Sequence, residues 1–293
     1  MNSNGTGQTN LSNHPGDDLN PCPSPDGERI LFKSNRDDSQ GKHSLYTVRP
    51  DGSDLTLFGG SWVSGYSCEG WSPDSSSFVF NENTGNGDGK LLVRTMSGEE
   101  YSPGAFSSVP NGYGQAVWSN TGDMIAYYRQ GRDYGGVYQS DIYGNTPNIY
   151  FERPSQESWT MSWSPDDTEL LVSSGYEIFI QPNSNYASKT NITNHPGMEY
   201  IATGAWNSSG TKITFGRDQK LHLMNPDGSG VVALGEGHPR SDAADWSSDD
   251  SQLVYTCVLE ETRTEEICII DADGSNQKQL TDIQFNYGPR FVP

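Results

Sequence analysis

Three histidines in the sequence precede a proline and lie within a few residues of carboxylates. The histidines are His14, His195 and His238, and the carboxylates are Asp17, Asp18, Glu199, Asp242 and Asp245. Imidazole and carboxylate groups together can hold a divalent cation, either a transition metal or Ca²⁺. A His-Pro pair is also a turn element, because the residue before proline avoids helical backbone. The sequence favours the turn, so no cofactor is expected and a divalent cation is the alternative.

A second set of residues could form a binding surface. Its aromatic and amide members stand shortly before a repeated tryptophan or near the end of the chain: Tyr66, Tyr113, Gln115, Trp159, Tyr200 and Tyr287. Rigid aromatic side chains offer a large contact area at small entropic cost, which suits a peptide, a protein loop or a glycan. Packing within the loops is the alternative interpretation.

Standard catalytic motifs are absent from the sequence. It contains neither Gly-x-Ser-x-Gly nor His-Glu-x-x-His. The glycine-rich stretch 85–90 joins two predicted strands and opens no helix, so it lacks the helix N-terminus that binds phosphate. The sequence therefore favours a non-catalytic protein over an enzyme.

One phrase recurs along the chain and marks an internal repeat. A Trp is followed by turn-forming residues, and Pro replaces the Trp in the first copy; the marks are Pro23, Trp71, Trp118, Trp163, Trp206 and Trp246. Their spacing of about forty to forty-eight residues is typical of propeller repeats. After each mark come a turn, a short apolar strand, a loop, another strand, a turn and a last short strand. With the strand that carries the mark, this predicts four strands per repeat.

The repeats predict an all-β fold, a six-bladed β-propeller with four antiparallel strands per blade, in one domain over residues 1–293. One sheet cannot bury both of its apolar faces, whereas stacking between two other sheets buries both. The five repeated Trp are expected to pack between adjacent blades. Six complete blades run from about Leu19 to Leu280, and the termini are expected to meet at the closing seam. There, residues 8–12 resemble a last strand and residues 288–292 a first strand.

Several phrases resemble the TolB-like, WD40-related repeat of the PD40 type. They are Asn13-His14-Pro15-Gly16, Ser24-Pro25-Asp26-Gly27, Asn225-Pro226-Asp227-Gly228-Ser229 and Asp271-Ala272-Asp273-Gly274-Ser275. The resemblance covers nearly the whole chain and implies the propeller fold, but it does not carry over TolB's role in envelope complexes. Similar repeats occur in accessory propellers of peptidases and in polysaccharide lyases, some of which use a His-ligated metal near the channel mouth. One fold hosts many functions.

Two cysteines flank the loop of the last repeat. If the strands around Cys257 and Cys268 pair as a hairpin, the two could lie opposite each other and form a disulfide, which would indicate an oxidising compartment. Two buried thiols are the alternative. Cys22 and Cys68 lie in first strands of neighbouring repeats, where a bridge depends on the register.

The acidic composition limits the class of partner. The formal net charge is −20 and no basic run occurs, so nucleic acid and anionic membrane surfaces are disfavoured. No stretch is long and apolar enough for a spanning helix, and residues 1–10 do not resemble a signal peptide.

The sequence thus predicts an exported, periplasmic or extracellular binding propeller. It is expected to be monomeric and to recognise a protein or peptide, or alternatively a glycan, at one face of the ring. The alternative function is a metal-assisted polysaccharide lyase or hydrolase with its site at the channel mouth. The small number of Lys and Arg residues, 18 in total, disfavours a lyase, because an acidic sugar requires cationic contacts.

Overall fold

The computed structural model describes most of the chain as strands and turns. It describes residues 1–38, 40–60, 63–65, 70–83, 88–103, 109–110, 113–129, 135–145, 148–152, 160–173, 176–183, 188–193, 201–217, 220–234, 244–258, 265–281 and 291. Their contacts divide the chain into two compact units. The first unit comprises Asn10–Trp159, and the second comprises Met1–Thr9 together with Thr160–Phe291. The prediction of one domain over residues 1–293 stays a prediction.

The first unit contains three blades. The first blade consists of β1 (Asp18–Pro23), β2 (Ile30–Ser34), β3 (Ser44–Val48) and β4 (Thr56–Gly59). The second consists of β5 (Val63–Gly65), β6 (Ser77–Asn83), β7 (Asp88–Thr95) and β8 (Glu100–Tyr101), with β9 (Val109–Pro110) as an additional strand on β7. The third consists of β10 (Tyr113–Trp118), β11 (Ile125–Arg129), β12 (Gly136–Ser140) and β13 (Asn148–Glu152).

The second unit contains the other three blades. The fourth blade consists of β14 (Thr160–Trp163), β15 (Glu169–Ser173), β16 (Ile178–Pro182) and β17 (Thr190–Asn191). The fifth consists of β18 (Ala202–Trp206), β19 (Ile213–Arg217), β20 (Lys220–Met224) and β21 (Val232–Ala233). The sixth consists of β22 (Asp245–Trp246), β23 (Gln252–Val258), β24 (Glu265–Asp271) and β25 (Lys278–Gln279).

Strands pair in chain order within every blade, each antiparallel to the next. This confirms the predicted fold class, six blades of four antiparallel strands. The second strand of each blade is almost fully buried because it has paired strands on both sides and packs on both faces. In β11, for example, all five residues are buried.

The core consists of clusters that span consecutive blades within a unit. Cys22 and Leu31 of the first blade pack with Trp71 and Phe78 of the second. Leu171 of the fourth blade packs with Trp206 of the fifth. Burying both faces of a sheet against neighbouring sheets is the arrangement that the repeated apolar strands require.

Four of the repeated Trp residues end first strands, and Trp71 forms an isolated bridge with Phe78 of β6. Trp71 is 4% exposed and its indole N–H donates to the Cys22 carbonyl of the preceding blade at 3.2 Å. The Trp118 indole donates to the Gly70 carbonyl at 2.8 Å in the same way. Trp163 and Trp206 are buried, and the half-buried Trp246 packs against the core cluster of the fifth and sixth blades. In the second and third blades, the indole thus fills the space beside the preceding blade while its N–H is hydrogen bonded.

A Ser-x-Asp turn follows the mark in four blades. The Ser hydroxyl donates to the Asp carboxylate two residues on, at 2.6–2.7 Å, in Ser24–Asp26, Ser72–Asp74, Ser164–Asp166 and Ser247–Asp249. Hydrogen bonds of this kind favour the ionised carboxylate. They lower the pKa of all four Asp residues, and the hydroxyls of Ser251 and Ser247 bring the pKa of Asp249 to about 2. Hydrogen bonding within the turn therefore explains why an Asp occupies this position in these four blades.

The structure confirms the disulfide of the sixth blade and corrects two details, the register of its cysteines and the strand expected near the N-terminus. Cys257 and Cys268 form a disulfide with a Cα–Cα distance of 5.8 Å, but they are diagonal neighbours, because Cys257 lies opposite Glu266. Residues 8–12 are not a strand. The Asn10 side chain accepts from the backbone N–H groups of Ser12 and Asn13, which turns the chain instead of extending it.

Candidate binding edge of the blades

Each blade has an edge at which its first strand begins and its second strand ends, and we call this the entry edge. Asp18 pairs with Ser34 there in the first blade, and Tyr113 pairs with Arg129 in the third. The chain enters each blade at this edge. The described residues of the predicted binding segments therefore lie at or next to the entry edges.

The structure describes part of the predicted set. His14, Asp17 and Gln115 are described, as is the backbone of Tyr113 in β10. Outside the described residues lie Tyr66, Trp159, His195, Tyr200, His238, Asp242 and Tyr287. His14 and Asp17 belong to the first blade, and Tyr113 and Gln115 to the third, so each pair lies on one entry edge.

His14 and Asp17 are held by their own turn. The His14 Nδ1 accepts from the Gly16 backbone N–H at 3.0 Å. The Asn35 amide group bridges back to Asp17, accepting from its backbone N–H at 2.9 Å and donating to its carboxylate at 3.2 Å. These contacts support the turn interpretation of the His-Pro pair.

Several first strands are bulged close to the entry edge, whereas β14 and β22 pair without a register shift. The register shifts between Leu19 and Cys22 in β1, between Tyr113 and Ala116 in β10, and between Ala202 and Ala205 in β18. A bulge re-aims side chains and is common beside functional sites. In the first blade it leaves Leu19, Asn20 and Pro21 exposed; Asn20 adopts a φ of 51°. In the third blade, Gln115 lies in the bulge and is half-buried.

Sequence reasoning missed an arginine at the entry edge of the first blade. The Arg36 guanidinium lies over the rings of Phe32 and Tyr46, at 5.2 Å and 4.9 Å from their centroids. It also pairs with Asp18 at 3.1 Å. Burial alone would raise the pKa of Asp18, but hydrogen bonds from Ser12, Ser34 and Arg36 and the charge of Arg36 bring it below its usual value.

The Tyr46 hydroxyl completes this network. It donates to the Asp37 carboxylate at 2.5 Å. Burial, and then the contact with Asp37, raise the pKa of Tyr46 to about 12, so the phenol is neutral at physiological pH. The network fixes the loop after β2, which lies directly beside the exposed bulge of β1.

Two other blades carry an arginine at the end of the second strand itself. Arg129 ends β11 and is 9% exposed, and Arg217 ends β19 with its guanidinium 5.7 Å from the centroid of Phe215. Guanidinium groups match carboxylates in geometry and stack on aromatic rings. The sequence could have indicated these arginines as candidate site residues, because they follow the apolar run of a second strand in a chain that is poor in basic residues.

Two further findings concern the described part of the chain. It contains no group of three or more His, Cys, Asp or Glu side chains arranged to hold a metal ion. Among its elements, no helix is long and apolar enough to cross a membrane.

The blades define the class of this molecule, a six-bladed β-propeller. No family model matches the sequence, and no curated protein matches it. Among solved structures, TolB from Acinetobacter baumannii is similar with a TM-score of 0.64 and 16% identity, over 95% of this chain and 67% of TolB. The fold is therefore TolB-like, as the repeat phrases imply.

Two other solved structures extend this comparison. An oligogalacturonate lyase in complex with manganese has a TM-score of 0.68 and 12% identity, over 89% of this chain and 75% of the lyase. A chain of a nidogen–laminin complex has a TM-score of 0.54 and 10% identity, over 73% of this chain and 78% of its own length. At these identities the likeness shows the fold alone.

Proposed function

We propose that this protein is an exported, non-catalytic binding propeller that recognises a protein or peptide at the entry edges of its blades. The observation that carries the proposal is the bulged start of the first strands. In the first unit the bulges present Leu19, Asn20 and Pro21 and place Gln115 at the entry edge. Apolar and amide groups of this kind bind extended peptide, and a rigid sheet holds them in place at low entropic cost.

Two further observations support the proposal. TolB and the chain of the nidogen–laminin complex share the propeller fold, and the second of these structures is a protein–protein complex. The disulfide between Cys257 and Cys268 is typical of an oxidising compartment, which supports export. We expect the protein to be monomeric.

Peptide selection and point variants test this function. Peptides are selected from a displayed random library on the immobilised wild-type protein, and their affinity is then measured by fluorescence polarisation. We expect Leu19→Ser combined with Gln115→Ala to weaken binding at least about tenfold, as for hot-spot residues. The matched control is Leu57→Ser, because Leu57 is 58% exposed on the outer strand β4. Equal affinity of the double variant and the control would contradict the proposal.

A second candidate function is metal-assisted cleavage of an acidic polysaccharide. It is supported by Arg36, Arg129 and Arg217 close to entry edges, since guanidinium groups bind carboxylates, and by the likeness to a lyase that binds manganese. Metal content is measured by elemental mass spectrometry on protein purified without chelator or His-tag column. The comparison is with the triple variant His14→Ala, His195→Ala, His238→Ala. Stoichiometric metal that disappears in the variant, with cleavage of oligogalacturonate, would favour this candidate; metal-free wild-type protein would exclude it.

A further inference from the structure

The second unit contains an unexpected copy of a repeat turn at the N-terminus. In the fifth blade, the backbone N–H of Asn225 donates to Ser229 O and that of Gly228 donates to Asn225 O, both at 2.9 Å. Residues 271–275 of the sixth blade make the same pair of bonds. Residues 2–6 make it as well, because Asn2 N–H donates to Thr6 O at 2.8 Å and Gly5 N–H to Asn2 O at 2.9 Å.

The side chains of the N-terminal turn and of the turn in the fifth blade also make matching contacts. In the fifth blade, the Asp227 carboxylate accepts from the Ser229 backbone N–H at 2.9 Å and from its hydroxyl at 2.6 Å. At the N-terminus the Asn4 side-chain oxygen accepts from the Thr6 N–H at 3.0 Å and from its hydroxyl at 2.6 Å. The central glycines share the left-handed backbone, with φ of 81° at Gly228 and 86° at Gly5.

The turns of the second unit dock on equivalent places. Gly228 lies against Ile192, and Gly274 lies against Leu234, in each case at the end of the preceding blade. Gly5 lies against Leu280 at the end of the sixth blade, where an added Cβ would be 2.9 Å from the Leu280 carbonyl oxygen. Ile192, Leu234 and Leu280 are equivalent because each donates its backbone N–H to the third strand of its blade.

The contacts of residues 1–9 with the sixth blade go beyond the glycine. Lys278 of β25 donates from Nζ to the Asn4 carbonyl at 2.8 Å. The Gln8 side chain donates to the Leu280 carbonyl at 3.4 Å. Leu280 is only 8% exposed. The N-terminal segment therefore covers the end of the sixth blade as the turns of the fifth and sixth blades cover the blades before them.

We propose that Met1–Thr9 is a surrogate interblade turn that caps the outer strand of the sixth blade. Its role is to bury Leu280 and to protect β25, a two-residue strand with little support of its own. An uncapped outer strand would expose unpaired backbone groups, which favour pairing with other chains.

Hydrogen exchange of the full chain tests the cap. Gly5→Val places a side chain against Leu280, whereas Gly98→Val makes the same change at a φ of 94° with no atom within 4 Å of the added Cβ. We expect Gly5→Val to speed amide exchange in residues 276–281 at least about tenfold, as local opening does, and Gly98→Val to leave that segment unchanged. Lys278→Met, which removes only the bond to Asn4, should give a smaller increase at the same amides.

The possible outcomes distinguish a local cap on the sixth blade from a general loss of stability. Faster exchange in the Gly5 and Lys278 variants, confined to residues 1–9 and 265–281, supports the cap. Unchanged exchange of residues 276–281 in Lys278→Met overturns it, whatever the folding of the Gly5 variant. An equal increase in Gly98→Val also overturns it, because Gly98 belongs to the second blade and the effect would then be a general loss of stability.

Discussion

Alanine substitutions at Gly228 and Gly274 separate two contributions to the free energy of unfolding. One is the steric contact between a turn and the preceding blade, and the other is backbone strain at positive φ. Both glycines lie in the second unit, in turns with the same hydrogen bonds, at φ of 81° and 86°. An added Cβ at Gly228 would lie 2.2 Å from the Ile192 carbonyl oxygen and 3.0 Å from its carbon, so the turn and the strand must move apart. At Gly274 the nearest atom would be 3.6 Å away, an ordinary van der Waals distance.

The expected magnitudes follow from this geometry. An alanine at positive φ costs about 1–2 kcal/mol, and the loss of freedom in the unfolded chain offsets about 0.4–1 kcal/mol. Gly274→Ala should therefore lower the free energy of unfolding by about 1 kcal/mol. Gly228→Ala carries the same cost and adds the overlap with Ile192, which we estimate at about 1–3 kcal/mol from overpacking in other proteins.

Urea denaturation followed by tryptophan fluorescence measures both variants. The midpoints should fall in the order wild type, Gly274→Ala, Gly228→Ala, with an unchanged slope. Equal destabilisation of the two variants, within about 0.5 kcal/mol, would refute the conclusion that the turn contact with Ile192 limits this position to glycine.

Two further predictions concern the sixth blade. Cys257→Ala with Cys268→Ala should lower the stability by about 3 kcal/mol, and an unchanged urea midpoint would count against the disulfide. The Tyr255 hydroxyl is buried with no hydrogen-bond partner in the described structure, so Tyr255→Phe should stabilise by about 1 kcal/mol at neutral pH. Burial raises the pKa of Tyr255 to about 12. Since the unfolded state ionises first, at about 10, the wild type should lose more stability than the variant between those two values. Urea midpoints across that range check this, and parallel curves would contradict it.

The sequence was sufficient for the fold because its signal is repeated. The marks from Pro23 to Trp246 set the blades, and the apolar runs after them became the buried second strands. The register of single contacts was harder to predict. Cys257 and Cys268 are diagonal because the register differs by two residues from the one that would place them opposite each other, and the sequence does not fix that register.

The candidate site could be predicted only in part. A bulge depends on the pairing of two strands, so the sequence of β1 does not show that Leu19 and Asn20 are re-aimed. The position of Arg36 over Phe32 and Tyr46 depends on the loop after β2, which lies outside the repeated pattern. Loops differ in sequence and length from one repeat to the next, so periodicity carries no information about them.

The turn contacts also bear on how such a chain can change its number of repeats. The partner of Gly228 is Ile192, and the partner of Gly274 is Leu234, so each turn needs only the end of the repeat immediately before it. A duplicated repeat would bring both a turn and a strand end of the right kind, and the junctions on either side would be restored without compensating substitutions. Gain or loss of whole repeats by unequal recombination therefore preserves the contacts between turns and strand ends. A break within a repeat would separate a turn from its blade.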